Sequence, residues 1–254
     1  MYAWIRSLRL RVCVLAGFLV VASFRVAGTP VSWISVAAVF FIACATMLQN
    51  DWRDRYHDRR KGKVLVLEHP GGFLTLVLVF WAISFGLIVA AALVNKNLSI
   101  VLAPVALLGL FHVEFRRVPM APVTLVALGS GSPALLPLAV GADEYRVWLL
   151  FLATSLAIFG REITKDIDDL LIDGGYKWTI PLAIGSTRTR IIAALAIMAA
   201  CVVWLRVSFA EVPAMLVAMV GASILVRGSQ PKTARIIIDA GIVLALLTII
   251  VLRI

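Results

Sequence analysis

The sequence predicts an all-α membrane protein with about nine transmembrane helices, and two observations support this fold class. The 254 residues are 62% hydrophobic and 15% charged, with a mean hydropathy of +1.00, whereas about 45–50% of an ordinary soluble domain is apolar. The apolar residues also form blocks of roughly 16–24 residues, and a helix needs about 20 to cross the hydrocarbon of a bilayer. Because these blocks are continuous and do not alternate in twos, helices are favoured over a barrel.

Nine apolar blocks are separated by breaks that contain glycine, proline, asparagine or charged residues. The predicted spans cover about residues 12–27, 31–49, 71–94, 98–114, 121–140, 145–161, 188–206, 211–227 and 235–253. The first span is the weakest, because it is short and contains Arg25 near its end. Basic residues before it resemble a signal peptide, but no convincing small-residue cleavage site follows, so we interpret it as a retained helix. We predict one transmembrane domain over residues 1–254.

The basic residues are distributed unevenly between the two sides of these spans. Of the 24 Lys and Arg residues, 19 lie in the N-terminal segment or in the loops after spans two, four, six and eight. The positive-inside rule therefore places the N-terminus and these loops in the cytoplasm and the C-terminus opposite. We expect an integral protein of the inner (plasma) membrane of a bacterium or an archaeon. The net charge of +10 serves this topology, so we expect no nucleic-acid partner.

Two sets of aspartates stand out against this apolar background. Each set has the spacing i, i+3 and i+7, which falls on one helix face, and each residue of the first set lies 115 positions before its counterpart. The two sets are Asp51, Asp54 and Asp58, followed by Asp166, Asp169 and Asp173. A single loop of this kind could be a solvated charged face. Its repetition on the same predicted side of the membrane favours a functional site.

Carboxylates in this arrangement are suited to hard cations and phosphorylated ligands. Mg²⁺ is commonly held by one or two carboxylates together with substrate phosphate oxygens, and such ions neutralise the charge that develops on a leaving diphosphate. Four basic residues on the same predicted side could complete the site: Arg161 and Lys165, one turn apart, and the pair Arg116–Arg117. The alternative is that these residues only provide positive charge at the cytoplasmic face.

The motifs Asn50-Asp51-x-x-Asp54-x-x-x-Asp58 and Lys165-Asp166-x-x-Asp169-x-x-x-Asp173, on a chain of nine spans, resemble those of the UbiA superfamily of intramembrane prenyltransferases. The resemblance covers nearly the whole chain. It extends to the lead-in Arg161–Asp166, to Thr179-Ile180-Pro181 followed by Gly185, and to Arg116-Arg117-x-Pro119.

This resemblance implies helices around a central cavity that opens at the cytoplasmic face. It also implies Mg²⁺ as cofactor, with an isoprenyl diphosphate, a lipophilic acceptor and membrane lipid as partners. The implied catalytic residues are Asp51, Asp54, Asp166, Asp169 and Lys165. The implied diphosphate ligands are Asn50, Arg161, Lys165 and one of Arg116 and Arg117. The implied metal-binding residues are Asn50, Asp51, Asp54, Asp58, Asp166, Asp169 and Asp173, with Asp58 and Asp173 open between ligands, bases and supporting partners.

Two alternative functions and the identity of the acceptor stay open at this point. An intramembrane terpene cyclase of the same superfamily would ionise the same diphosphate without an acceptor. A divalent-cation transporter would need acidic residues within the spans, whereas both acidic sets lie at span ends. The resemblance implies an acceptor that could be an aromatic quinone precursor, a lipid glycerol phosphate, a sugar phosphate, a chlorin or a haem. The chain departs from the family pattern after Asp58, and the tail between Asp173 and Thr179 is one residue shorter than usual.

Weaker features carry less specific expectations. His57 could be a base or a metal ligand, but a histidine in a basic loop is more often solvated. The segment 129–133 contains Gly129 and Gly131, which could leave room for a prenyl chain or allow close helix packing. Asp239 lies one turn from Arg235, which predicts a local ion pair.

Overall fold

The structure of the protein is a computed structural model that describes residue 4 and residues 7–62, 64–142, 144–228 and 230–252. Every regular element in these ranges is an α-helix or a short 3₁₀-helix, which confirms the all-α prediction. The α-helices are α1 (Leu10–Val26), α2 (Trp33–Arg53), α3 (Arg55–Asp58), α4 (Leu65–Glu68), α5 (Pro70–Val94), α6 (Lys96–Phe111), α7 (Ala121–Gly131), α8 (Leu136–Ala139), α9 (Tyr145–Asp168), α10 (Leu170–Asp173), α11 (Ile180–Ile184), α12 (Ser186–Val207), α13 (Val212–Val226) and α14 (Pro231–Leu252). The 3₁₀-helices cover Arg59–Lys61, His112–Phe115, Ser132–Leu135 and Phe209–Glu211.

Long helical segments coincide with all nine predicted spans. Eight of them are long and apolar enough to cross a membrane, counted over the residues that the structure describes. The first predicted span forms α1, which has 17 residues. At about 1.5 Å per residue, a helix of this length is slightly shorter than a hydrocarbon core of about 30 Å. The cytoplasmic orientation of the chain stays a prediction from the loop charges.

The long helices form a closed arrangement in which sequence neighbours pack side by side. α2 packs on α1 and α5, α9 packs on α7 and α12, and α14 returns to contact α1 and α9. One apolar cluster lies between α1, α9, α12, α13 and α14, and a second lies between α1, α2, α5 and α6. The second cluster reaches Leu48 near the end of α2, and a third apolar cluster packs Ile163 and Ile167 near the end of α9 against Val123 and Ile180. These contacts hold the two helix ends that carry the acidic sets.

Small residues allow these helices to approach closely. A Cβ atom added at Gly160 of α9 would lie 2.8 Å from Ile197 Cδ1 of α12 and 2.9 Å from the carbonyl oxygen of Ala193. Gly131 of α7 likewise faces Ser155 and Phe151 of α9, where an added Cβ would clash with the Ser155 hydroxyl. At Gly131 the structure therefore favours close helix packing over an open space for a prenyl chain.

Candidate active site

The two acidic sets lie at the ends of α2 and α9, where the long helices break in the same way. Asp54 follows α2 with φ −93° and ψ 6°, and Asp169 follows α9 with φ −90° and ψ 3°. Both backbones are in the bridge region between helix and strand. One further turn then carries Asp58 and Asp173, which are only 7% and 1% exposed. The third aspartate of each set therefore belongs to a separate short helix, although the i+7 spacing predicts one continuous face.

A cavity of about 130 Å³ lies between the two acidic segments. Its wall includes most of the site residues that the sequence predicts: Asn50, Asp54, Asp58, Arg116, Lys165, Asp166, Asp169 and Asp173. Apolar side chains of Val113, Val123 and Val126 border the same space. The fold thus brings the two motifs together around one cavity, although they are 115 residues apart in the sequence.

Three predicted site residues lie outside the wall of this cavity. Asp51 is buried, and its Oδ1 accepts a hydrogen bond from Arg9 Nη2 at 2.6 Å; Arg9 itself lines the cavity. Arg117 lies in a neighbouring pocket. Arg161 contacts Glu162, and its Nε donates to Asp239 Oδ1 at 3.0 Å.

The ion pair predicted between Asp239 and Arg235 is replaced by two interhelical pairs. Asp239 of α14 pairs with Arg161 of α9, and Arg235 Nη1 lies 3.7 Å from Asp168 Oδ2. The reason is that α9 packs against α14, so partners on a neighbouring helix are within reach of these long side chains. The i,i+4 spacing alone cannot reveal them.

Lys177 bridges two aspartates of the second set. Its Nζ lies 2.8 Å from Asp166 Oδ1 and 2.9 Å from Asp173 Oδ2, and the side chain is 19% exposed. Burial by itself would lower the pKa of Lys177, but the two carboxylates outweigh it and hold the pKa above its ordinary value. The ammonium group is therefore charged at neutral pH.

Tyr176 connects the first acidic set to the second. Its hydroxyl donates to Asp54 Oδ1 at 2.6 Å and also contacts Arg116, whose Nη1 lies 2.9 Å from the same Asp54 oxygen. The Tyr176 ring stacks on His57 with centroids 3.8 Å apart, and His57 Nε2 lies 3.1 Å from Asp173 Oδ1. Burial, followed by the hydrogen bond to Asp54, raises the pKa of Tyr176, so the hydroxyl remains a donor at neutral pH.

The sequence patterns do not identify several residues of this site. Tyr176, Lys177, Arg9 and Glu162 all line the cavity, but no motif or spacing predicts them as site residues. His57 is buried, although its place in a basic loop predicts a solvated ring. The only sequence signal near Tyr176 and Lys177 is the shortened tail between Asp173 and Thr179, which marks the segment as unusual without giving it a role.

The donor atoms around the cavity fit Mg²⁺. They are carboxylate oxygens and the side-chain amide oxygen of Asn50, the hard ligands that this ion prefers. Within the described ranges, no group of three or more His, Cys, Asp or Glu side chains is arranged to hold a metal ion. Carboxylates of this kind fit an ion that takes one or two of them and completes its shell with substrate oxygens and water.

A second pocket adjoins the cavity and has the opposite charge balance. It is lined by Arg53, Tyr56, His57, Glu114, Arg116, Arg117 and Tyr176, with three arginines against one glutamate. The cavity wall holds six Asp or Glu residues against four Lys or Arg residues. His57, Arg116 and Tyr176 line both spaces. An acidic cavity and a basic pocket therefore lie on either side of one shared wall.

Comparisons with known proteins agree in sequence and in fold. The sequence model of the UbiA prenyltransferase family matches residues 10–235. The digeranylgeranylglyceryl phosphate synthase of Haloquadratum walsbyi is 33% identical over 162 residues, which cover 60% of this chain and 55% of that protein. The apo structure of a UbiA homologue from Aeropyrum pernix K1 has a TM-score of 0.74 at 20% identity, covering 92% of this chain and 97% of the other. A UbiA homologue from Archaeoglobus fulgidus bound to GPP and Mg²⁺ has a TM-score of 0.66 at 16% identity, covering 98% and 99%.

Proposed function

Because the chain belongs to the UbiA prenyltransferase family, we propose that it transfers an isoprenyl group from an isoprenyl diphosphate to a lipophilic acceptor in the membrane. The observation that carries this proposal is one cavity whose wall contains aspartates of both acidic sets together with basic side chains. An isoprenyl diphosphate has a highly charged end and an apolar chain. The cavity offers a charged wall and, at Val113, Val123 and Val126, an apolar border.

In this mechanism Asn50 and the aspartates that line the cavity would hold Mg²⁺, which neutralises the charge that develops on the leaving diphosphate. Arg116, Lys165 and Lys177 surround the same space and bind the diphosphate oxygens by charge-assisted hydrogen bonds. Asp51 acts through Arg9, which it orients towards the cavity. Arg161 acts in the same indirect way on Glu162.

For the acceptor, we propose a lipid glycerol phosphate, and the adjoining basic pocket supports this choice. Arginine binds phosphate oxygens through a planar fork of donors, and Arg53, Arg116 and Arg117 all line the pocket. In a glycerol phosphate the attacking hydroxyl lies at most two carbons from the carbon that bears the phosphate. The phosphate site must therefore adjoin the reaction site, as this pocket adjoins the cavity. The related protein named digeranylgeranylglyceryl phosphate synthase also supports an acceptor of this class.

Replacing Asp54 or Asp166 by Asn tests the diphosphate chemistry. We expect Mg²⁺-dependent release of diphosphate to fall by about 100-fold or more, because each change removes charge that faces the reacting group. Glu144→Gln is the matched control, since Glu144 lies at the opposite end of α9 from Asp166. Wild-type turnover in both Asp variants would contradict the proposal.

Replacing Arg53 and Arg117 together by Ala tests the acceptor site. We expect the KM for a glycerol phosphate lipid to rise roughly tenfold or more, equivalent to about 1.4 kcal/mol of lost binding, with the KM for the isoprenyl diphosphate unchanged. Arg188→Ala is the control, because Arg188 is exposed and does not line the pocket. An equal rise of both KM values would argue against this role. Hydrocarbon or alcohol products without any acceptor would indicate a cyclase instead.

A further inference from the structure

The position of Lys177 between two carboxylates is the position that a metal cation would compete for. Its ammonium nitrogen is within 2.9 Å of both Asp166 and Asp173, the first and third residues of the second acidic set. Arg9 and Arg116 each pair with one aspartate of the first set. Lys177 therefore differs from these two arginines, because it is paired with two aspartates of one set.

The neighbours of Lys177 hold it in this place. Tyr176 is fastened to Asp54 through its hydroxyl, and the backbone N–H of Trp178 donates to the carbonyl oxygen of Arg116 at 2.8 Å. The segment from Tyr176 to Trp178 is therefore anchored on both sides of Lys177 to residues outside the second set. Because the backbone is fixed, the flexible lysine side chain is the part that can change partners.

We propose that Lys177 is an internal counter-ion that competes with Mg²⁺ for Asp166 and Asp173 and turns to the diphosphate when the metal binds. This inference rests on the proposed function, since it assumes a diphosphate and a metal in this cavity. With Lys177 in place the local charge of the three side chains is −1, and without it the charge is −2. A divalent cation is attracted more strongly to the second arrangement.

The consequence is ordered loading of the site. Mg²⁺ alone must displace an ammonium group that then has no new partner, so it binds weakly. When the diphosphate is present, the displaced ammonium pairs with its oxygens, and both ligands bind more tightly together than separately. Lys177 thus makes metal uptake depend on substrate: it occupies the two carboxylates before the metal binds and contacts the diphosphate afterwards.

The test is a pair of binding measurements with opposite expected signs. Titration of MgCl₂ into the detergent-solubilised protein without diphosphate, followed by calorimetry, should show the Kd for Mg²⁺ at least tenfold lower in Lys177→Gln than in wild type. Binding of an unreactive isoprenyl thiodiphosphate at saturating Mg²⁺ should be at least tenfold weaker in the same variant. Lys96→Gln is the matched control. Lys96 is the first residue of α6, and the cavity residue His112 follows the opposite end of that helix, so Lys96 lies far from the cavity.

Thermal unfolding of each variant establishes that it is folded. If Lys177→Gln does not fold, Lys177→Met, whose apolar side chain has a similar length, should show the same changes in the two affinities. An Mg²⁺ affinity in the variants equal to or weaker than that of wild type, with the thiodiphosphate still binding with Mg²⁺, overturns the role of Lys177 alone. Absence of any Mg²⁺ uptake in wild type, with or without the thiodiphosphate, overturns both this inference and the proposed function.

Discussion

Gln49 connects three helices immediately before the first acidic set, and its replacement gives a quantitative test of how the site is positioned. Its Nε2 donates to the carbonyl oxygen of Leu110 at 2.7 Å, and its Oε1 accepts from Trp81 Nε1 at 2.7 Å. The residue is 5% exposed, and the two bonds join α2 to α5 and α6. They fix the rotation of α2 and thereby direct the next residue, Asn50, into the cavity.

Replacing Gln49 by Leu leaves the indole N–H of Trp81 and the carbonyl group of Leu110 without these partners. An unsatisfied buried group costs about 1–3 kcal/mol, which gives roughly 2–6 kcal/mol for two. Hydrogen bonds between membrane helices measure only about 0.6 kcal/mol on average, and about 1.7 at most. The lower end of the range therefore applies, and we expect a loss of about 2 kcal/mol together with a lower kcat, because Asn50 is less well oriented.

The assay is a double-mutant cycle with Trp81→Phe, measured by equilibrium unfolding in mixed micelles. The double variant should lose about 1 kcal/mol less unfolding free energy than the sum of the two single variants. The reason is that Gln49→Leu leaves the indole N–H of Trp81 without a partner, and the double variant has no such N–H. Gln230→Leu is the control, since Gln230 is exposed. Additive losses, or a Gln49→Leu protein as stable as wild type, would refute the reasoning.

Three further substitutions test other contacts. Tyr176→Phe keeps the ring on His57 but removes the hydroxyl that donates to Asp54, so kcat/KM should fall about tenfold. The free energy of unfolding should fall by under about 1 kcal/mol. Because the pKa of Tyr176 is raised, the ratio of the wild-type rate to the variant rate should stay constant from neutral pH to about pH 10. Gly160→Val should cost about 1–3 kcal/mol and reduce activity, because it forces α9 from α12, whereas Gly86→Val, with open space around it, should do neither. Glu211→Gln should raise the stability by about 1 kcal/mol in thermal unfolding. Both carboxylate oxygens are buried without a hydrogen-bond partner among the described residues, and a neutral amide costs less to bury than an unpaired carboxylate. An unchanged or lower melting temperature would contradict this account.

The features that the sequence predicts correctly are those that depend on local patterns. Blocks of apolar residues define the membrane helices, because the bilayer requires a fixed length of helix. The repeated aspartate spacing identifies the two motifs because it is the same in both. The break at Asp54 and at Asp169 could not be predicted in this way. An i, i+3, i+7 pattern is compatible with one continuous helix, and only packing against the rest of the fold decides where that helix stops.

The partners of charged residues are also decided by packing. Arg161 and Asp239 are 78 residues apart in the sequence, yet they form an ion pair because α9 and α14 are in contact. Lys177 is only four residues from Asp173 and reaches Asp166 as well. The short tail in which it lies marks a departure from the family pattern, but the two carboxylates that it bridges become evident only in three dimensions.

Arg116 and Arg117 show how the structure divides roles that the sequence presents as one. The two adjacent arginines before Pro119 indicate a single basic motif with one role. Yet Arg116 lines both the cavity and the second pocket, whereas Arg117 lines the pocket alone, because consecutive side chains in a turn point in different directions. In the proposed reaction both substrates carry phosphate groups, which would repel each other in one common site. The diphosphate would bind with the aspartates and the metal, and the phosphate of the acceptor would bind with the arginines. This arrangement keeps the two phosphate groups apart, while the wall shared by the two spaces keeps the reacting atoms close.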